Sequence, residues 1–290
     1  MKGSVIALGT FDGVHLGHQR ILKDAASYAK RAGFKSIAIT FDPHPQQFIV
    51  PERGLKLLTT IKEREELLSA IGMDKVKVIN FNKKLQKLTD EQFVKKYLVN
   101  KLKAAVIFAG YDFAFGRGRS GKVSDLRRLG AEFGFKVRMV RPVKVNNSVI
   151  KSSLIREMVS RGNFNRAVRL LGHPYRITGK VVPGAGRGRD LGIPTANLKA
   201  DEHKLIPQHG VYIGKVGKKK CVVNIGSRPT FGADGAAIEA HLPGFSGDLY
   251  GKTLKLDLYR KIRDEIQFSD VQKLKARILK DIAIARRTMV

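Results

Sequence analysis

One cysteine, Cys221, occurs in the 290 residues. A single thiol can neither close an internal disulfide nor build a cysteine zinc site, and a reducing compartment is its natural setting. Proline is scarce, at 10 residues, beside an apolar content of 43%. Wholesale disorder is therefore not expected, and the length accommodates two domains of roughly 100–200 residues, each with its own core. No stretch approaches the roughly 20 apolar residues that a membrane helix needs. The apolar run Val5–Leu8 is broken by Gly9, Asp12 and Gly13, which is too short for the apolar region of a signal peptide. A cytoplasmic protein is expected. The chain also lacks internal repeats and low-complexity tracts.

Acidic residues are few. There are 25, against 55 Lys and Arg, for a net charge of +30. The excess is spread out, with 33 basic and 14 acidic residues in 1–174 and 22 and 11 in 175–290. A basic tail would concentrate it. Two readings stand: a polyanionic ligand such as nucleotides or nucleic acid, or a compositional bias carried on solvated faces. No nucleic-acid recognition module is visible, so any such binding is expected to be non-specific.

What is present falls into two patterns. Up to about residue 170, short non-alternating apolar runs (Val5–Phe11, Ser36–Phe41, Lys75–Phe81, Ala104–Ala109, Lys136–Val140) alternate with amphipathic stretches near 17–32, 61–71, 90–102 and 123–133. Runs of this kind suit strands buried on both faces, and their alternation with helices predicts a doubly wound, Rossmann-like α/β domain with a parallel sheet. Two helices follow, Ser152–Arg161 and Phe164–Leu171. After Gly172-His173-Pro174 the runs become short and alternating: Tyr175–Val182, Val211–Val216, Lys220–Ile225, Ala237–Leu242 and Leu254–Tyr259. That pattern predicts a small antiparallel barrel or sandwich. A closing helix over Ser269–Met289, with Ser269 as N-cap, completes it. The domains are placed at 1–172 and 173–290.

The segment Gly9-Thr10-Phe11-Asp12-Gly13-Val14-His15-Leu16-Gly17-His18 ends the first strand and opens the first helix. The glycines permit tight turns and close approach of a ligand, and the helix start attracts anions. His15 and His18, three apart, lie on one side of that turn. By itself this is an anion site. The sequence Gly116–Gly121 formally fits GxGxxG. It lies late in the domain, and no acidic residue stands about 20 positions on, so dinucleotide binding there is not expected. His15, His18 and His44 have no carboxylate or thiolate at ligand spacing, so a protein-caged zinc is not expected either.

In the second half, Gly188-Arg189-Asp190-Leu191-Gly192-Ile193-Pro194-Thr195-Ala196-Asn197-Leu198 is a Gly-rich turn leading to a polar pair. A plain turn has the same composition. On an extended segment, however, Thr195 and Asn197 face one way and offer oxygen ligands that suit magnesium carried by ATP.

GTFDGVHLGH resembles the HxGH signature of nucleotidyltransferases, and its FDGVHxGH form resembles that of the bacterial bifunctional riboflavin kinase/FMN adenylyltransferase (FAD synthetase) family. Thr40–Pro45, Gly110–Gly116 and Ser152–Arg156 match the same family in order, as do GRxLGxPTAN, Asn224–Phe231, Gly247–Gly251, and Arg263-Asp264-Glu265 with Phe268. The resemblance implies FAD biosynthesis in two steps. Riboflavin is phosphorylated to FMN by the C-terminal domain, and FMN is adenylylated to FAD, with release of pyrophosphate, by the N-terminal one. It implies ATP, riboflavin and FMN as substrates, FAD as product, and Mg2+.

By the same resemblance, His15 and His18 contact ATP phosphates, together with Gly9, Phe11, Asp12 and Gly17 of their loop. Ser152, Ser153 and Arg156 clamp phosphates, and Asp112 seats the flavin nucleotide or ATP. Gly188 and Gly192 belong to the kinase's nucleotide loop, Thr195 and Asn197 to its metal, and Arg263, Glu265 and Phe268 to its flavin. Glu239, within Ile238–Leu242, stands where the family has its catalytic base, a role that removing the riboflavin 5′-hydroxyl proton requires. Gly184–Gly192 and Arg263–Phe268 are expected to be flaps over the substrates. Lys151 departs from the family, which usually has a small residue there; it either adds a phosphate contact or crowds the helix start. Alternatives are retention of one activity only, a nucleotidyltransferase with another substrate, or a scaffold that binds nucleic acid through its basic surface.

Overall fold

A computed structural model describes residues 3–184, 188, 191–227, 236–268 and 270–288. The chain divides into two compact units. One comprises residues 1–55 and 61–152, the other residues 56–60 and 153–290.

The first unit is built on five parallel strands: β1 (Ser4–Leu8), β2 (Lys35–Asp42), β3 (Lys75–Asn80), β4 (Ala104–Gly110) and β5 (Lys136–Val140). Their order is β3-β2-β1-β4-β5, with β1 paired in parallel to both β2 and β4. The alternation of side chains along β1 divides the core. Val5 and Ala7 join Ile21, Leu22, Ala25 and Ala29 of helix α1 (Leu16–Ala32) on one face. Ile6 and Leu8 face the other way, into a cluster with Phe93, Leu98, Leu126 and Leu129. Burial on both faces explains why β1 and β4 read as apolar runs and why β2 is interrupted only by the buried Thr40 between Ile37 and Phe41. Helix α1 stops where Gly33 takes φ 67° and donates its N–H to Ala29 O, with Lys30 and Arg31 in the last turn facing the negative end of the dipole.

The remaining helices of this unit are α2 (Pro45–Ile49), α3 (Ile61–Ala70), α4 (Lys83–Gln86), α5 (Asp90–Phe93) and α6 (Val123–Phe133). The single helix expected over 90–102 is two pieces, since α5 runs into a wider π-helical turn over Val94–Lys101.

Helix α7 (Ser152–Ser160) begins on the last residue of the first unit, and α8 (Phe164–Leu171) follows. The second unit centres on a closed antiparallel barrel: β8 (Tyr175–Val182), β9 (Ala196–Ala200), β10 (Gly210–Val216), β11 (Lys219–Ser227), β12 (Ala236–His241) and β13 (Thr253–Arg263), in the order β10-β11-β12-β9-β8-β13. A short hairpin of β6 (Lys144–Val145) and β7 (Ser148–Val149) precedes α7. Helix α9 (Val271–Arg287) sets Ile282 and Ala285 against Val211, Ile213 and Val222 of β10 and β11. Its N-cap is Asp270, whose carboxylate accepts from Gln272 N at 2.7 Å. The cap expected at Ser269 is thereby corrected; Ser269 itself lies outside the described residues. A carboxylate one position nearer the helix reaches the free N–H groups directly.

Residues 56–60 belong to the second unit through backbone bonds. Leu57 N donates to His203 O at 2.7 Å and Leu57 O accepts from Leu205 N at 2.8 Å. The buried Lys204 ammonium lies 4.2 Å from the centre of the Tyr175 ring and donates to Leu58 O.

Candidate active sites

The order β3-β2-β1-β4-β5 reverses direction between β1 and β4. In such sheets ligands bind beyond the carboxyl ends of the strands at that point. The segment Gly9–His18 leaves the carboxyl end of β1 there, and Asp112 stands in the exposed turn after β4. The loop is tightly specified. Phe11 (φ 53°), Gly13 (φ 79°) and Val14 (φ 39°) all have positive φ, which is costly for a bulky or β-branched residue and persists only when the surroundings over-determine it. They do so here. Val14 N donates to Phe11 O at 3.1 Å. Thr40 Oγ1 donates to Thr10 O at 2.7 Å, Ser152 Oγ to Asp12 O at 2.8 Å, and Gln19 Nε2 to Val14 O at 3.0 Å.

His15 caps α1, its Nδ1 accepting from His18 N at 3.3 Å. Its Nδ1 is therefore the unprotonated nitrogen. The two imidazoles stack, with centres 3.6 Å apart and planes 18° from parallel, and Phe11 meets His18 edge-on at 5.3 Å. Gly17 leaves room for this packing, because a Cβ there would lie 3.1 Å from His15 Cε1 and crowd the stacked ring. His18 Nδ1 is buried with no hydrogen-bond partner. Burial, then the neighbouring His15 and then Arg64, hold the His18 pKa well below 6.5. The ring is thus uncharged near neutrality, an orphaned polar group beside a helix start, and it suits an incoming anion.

Beneath the loop Asp12 is fully buried and faces Arg64 Nη2 at 3.7 Å; Arg64 is itself only 1% exposed. Arg64 Nη1 donates to Thr40 Oγ1 at 3.1 Å. Sequence reading missed Arg64. The signal was the Arg64–Leu68 spacing on α3, which places the arginine on the same face as a core leucine. Ser153 is exposed, Arg156 half-buried, and Lys151 exposed at the start of α7. His44 is buried and caps α2, accepting from Gln46 N at 3.2 Å. The GxGxxG look-alike has a packing role. A Cβ at Gly116 would lie 2.8 Å from Asp90 N, and one at Gly121 2.9 Å from Asp90 Cβ, so these glycines seat a small loop against α5.

In the barrel, Asn197 on β9 pairs with Glu239 on β12, and Glu239 pairs with Asn224 on β11. Residues directly opposite project to the same face, so the carboxylate of Glu239 is flanked by two amides. Asn224 was matched in the sequence without a role; only the register reveals its place. Asn197 is buried, and Gly184 presses on it so closely that a Cβ there would lie 2.0 Å from Asn197 Nδ2. Gly188 O accepts from Ile193 N at 2.7 Å, and a Cβ on Gly188 would lie 3.3 Å from Thr195 Oγ1. The Thr195 hydroxyl and Asn197 carbonyl are neutral oxygen donors, which fit a hard cation already carrying phosphate oxygens.

Glu265 reaches back over β11, where a Cβ on Gly226 would meet its Oε1, and its Oε2 is 3.6 Å from His209 Nδ1. The Arg263 guanidinium is engaged by the buried carboxylate of Asp281, at 2.7 Å from Nη2 and 3.0 Å from Nε, which ties β13 to α9. Gly192 (φ 74°) and Phe268 lie in loops. Arg189, Asp190, Arg228–Phe231 and much of the expected Gly184–Gly192 flap lie outside the described residues.

Residues 1–154 match the family described as FAD synthetase, and residues 171–289 the family described as riboflavin kinase. A protein of Buchnera aphidicola from Schizaphis graminum is 36% identical over 99% of this chain and 94% of its own length. One of Pseudomonas fluorescens is 36% identical over 98% and 93%, and one of Escherichia coli K12 is 33% identical over 98% and 92%. All three carry the name bifunctional riboflavin kinase/FMN adenylyltransferase. A crystal structure from Streptococcus pneumoniae, of a protein named for macrolide efflux, superposes with TM-score 0.89 at 28% identity, covering 100% of this chain and 96% of that one. Among the described residues no helix is long and apolar enough to cross a membrane. With two family matches in order and relatives aligned over almost their whole length, the chain belongs to the bifunctional riboflavin kinase/FMN adenylyltransferase family.

Proposed function

We propose that this chain makes FAD from riboflavin with two molecules of ATP, and that its two activities divide near residues 172–173. In the kinase step Glu239 accepts the proton of the riboflavin 5′-hydroxyl, whose oxygen attacks the γ-phosphorus of ATP; ADP leaves. Asn197 and Asn224 hold the carboxylate's orientation, and Thr195 and Asn197 are the ligands for magnesium arriving with ATP. Gly188 and Gly192 shape the nucleotide loop, while Glu265 and Phe268 contact the flavin. Arg263 reaches the flavin only if it leaves Asp281; otherwise it orders the segment that carries Glu265.

In the adenylylation step the FMN phosphate is already anionic and attacks the α-phosphorus of a second ATP. The bond to the β-phosphate breaks and pyrophosphate departs. Little acid–base help is needed, so the protein's part is positioning and charge stabilisation. His15, His18 and the loop from Gly9 through Gly17 receive the phosphates. Ser152, Ser153 and Arg156 are assigned to the phosphates and Asp112 to the flavin nucleotide or the ATP by their places in the motifs. The protein is expected to act in the cytoplasm.

The observation that carries this reading is the buried, unpartnered His18 Nδ1 in an over-determined loop at the switch point of the sheet. The test is incubation of the purified chain with riboflavin, ATP and magnesium, followed by chromatographic separation of flavins. FMN followed by FAD is expected. A well-folded sample that leaves both riboflavin and added FMN unchanged refutes the proposal.

A further inference from the structure

Two residues of the loop that leads into the histidines, Thr10 and Asp12, are tied to one side chain outside the motif. Arg64 Nη2 faces the Asp12 carboxylate, and Arg64 Nη1 donates to Thr40 Oγ1, which in turn donates to Thr10 O. Asp12 O also accepts the Ser152 hydroxyl. A second donation from Nη1, to Phe41 O at 3.4 Å, fixes the guanidinium against the end of β2. Burying a guanidinium is costly, and a hydrophobic residue would pack α3 on the sheet at least as well. What a hydrophobic residue could not do is hold Thr10 and Asp12 on either side of Phe11, whose positive φ needs outside restraint.

We infer that Arg64 is the positioning residue of the adenylyl-transfer site: it locks the loop bearing His15 and His18 in the conformation that receives phosphate. This rests on the adenylyl-transfer reading of the first unit. Charge supports the geometry. The groups acting on His18 are His15 from its own turn and Arg64 from α3, both opposing protonation along with burial. Arg64 in turn faces Asp12 in the loop, Asp42 at the end of β2 and Glu63 on α3, all of which favour its charge while burial opposes it. An ammonium in its place would keep the charge, but it lacks the planar fork that reaches two partners at fixed angles. Arg64→Lys therefore separates charge from geometry, and Arg64→Met removes both.

The test uses the full chain as wild type, Arg64→Lys and Arg64→Met. Ligand-free His18 is titrated by its ring carbon-bound proton in NMR, FMN adenylylation is followed for kcat and KM, and riboflavin phosphorylation is measured on the same samples. In both variants kcat/KM for adenylylation falls by about 100-fold, as for an ångström-scale misplacement, while riboflavin phosphorylation is unchanged. The His18 titration moves up in Arg64→Met, while burial and His15 still hold it below 6.5, and it stays low in Arg64→Lys. Adenylylation within about threefold of wild type in either folded variant overturns the inference, as does an unmoved His18 titration in Arg64→Met. If Arg64→Met loses the dispersed signals of a folded first unit, Arg64→Lys decides alone: wild-type adenylylation overturns the inference and a selective loss supports it. If wild type phosphorylates riboflavin but never adenylylates FMN, the reading of the first unit fails instead. The His18 titration then still judges the hold of Arg64 on the ring.

Discussion

Gly184→Ala isolates the kinase chemistry with a single methyl group. Gly184 does not have a positive φ, so alanine fits its backbone without strain and the effect is steric. The added Cβ would lie 2.0 Å from Asn197 Nδ2, 2.5 Å from Cγ and 2.8 Å from Oδ1, where approaches under 3.0 Å are essentially never seen. Asn197 must therefore retreat by about 1 Å, and ångström-scale misplacement of a substrate-positioning group costs about 100-fold in rate, or about 2.7 kcal/mol of barrier. Asn197 is also the cross-strand neighbour of Glu239, so the loss falls on ATP use and on the base together. The assay is steady-state riboflavin phosphorylation over a range of magnesium and ATP, with FMN adenylylation as the control. Phosphorylation is expected to fall about 100-fold with adenylylation intact. A variant with wild-type kcat and wild-type KM for ATP would remove Asn197 from the phosphate site.

Further outcomes follow from the separation of the two sites. His18→Ala abolishes FAD formation and leaves FMN formation nearly intact; equal loss of both activities would contradict separate pockets. Glu239→Gln does the reverse, and a fully active variant would exclude this carboxylate as the base. The depressed His18 pKa also predicts a stability change with pH. Below 6.5 the unfolded chain binds a proton at His18 that the folded one refuses, so stability is full above 6.5 and falls as pH drops toward the folded pKa, by at most about 1.4 kcal/mol per pH unit. Urea midpoints between pH 7.5 and 5.5 should show this slope in wild type and a flatter one in His18→Ala; parallel slopes would refute it. Asp74, held low by its hydrogen bonds from Ser36, loses its contribution only below about 3.8 and does not intrude on that window.

The architecture was legible wherever periodicity carried it. Val5–Leu8 reads as a doubly buried strand because Val5 and Ala7 serve one core and Ile6 and Leu8 the other. Tyr175–Val182 and Phe164–Leu171 have the same limits in sequence and structure. What escaped was decided at a distance along the chain. β9 hides behind a Gly-Pro turn as the five residues Ala-Asn-Leu-Lys-Ala, and β13 continues through Arg260–Arg263 because its partners extend that far. The bonding of residues 56–60 to 203–205 has no local signature.

The candidate sites divide in the same way. His15, His18 and Glu239 stand in motifs that a reader of the sequence can find. Arg64, marked only by its spacing from Leu68, and Asn224, matched without a role, acquire their meaning from α3 lying under the loop and from the register of β11 against β12. Composition does not say which charges are engaged: Arg263 is held by Asp281, and burial lowers the pKa of His18.

The most direct measurement follows isotopic phosphorus through the whole reaction. With label in the γ-position of ATP, radioactivity should enter FMN first and then remain in FAD; with label in the α-position, FMN should stay cold and FAD become labelled. Cold FMN in the first experiment, or FAD without α-label in the second, would contradict two pockets each presenting ATP to a different end of the flavin.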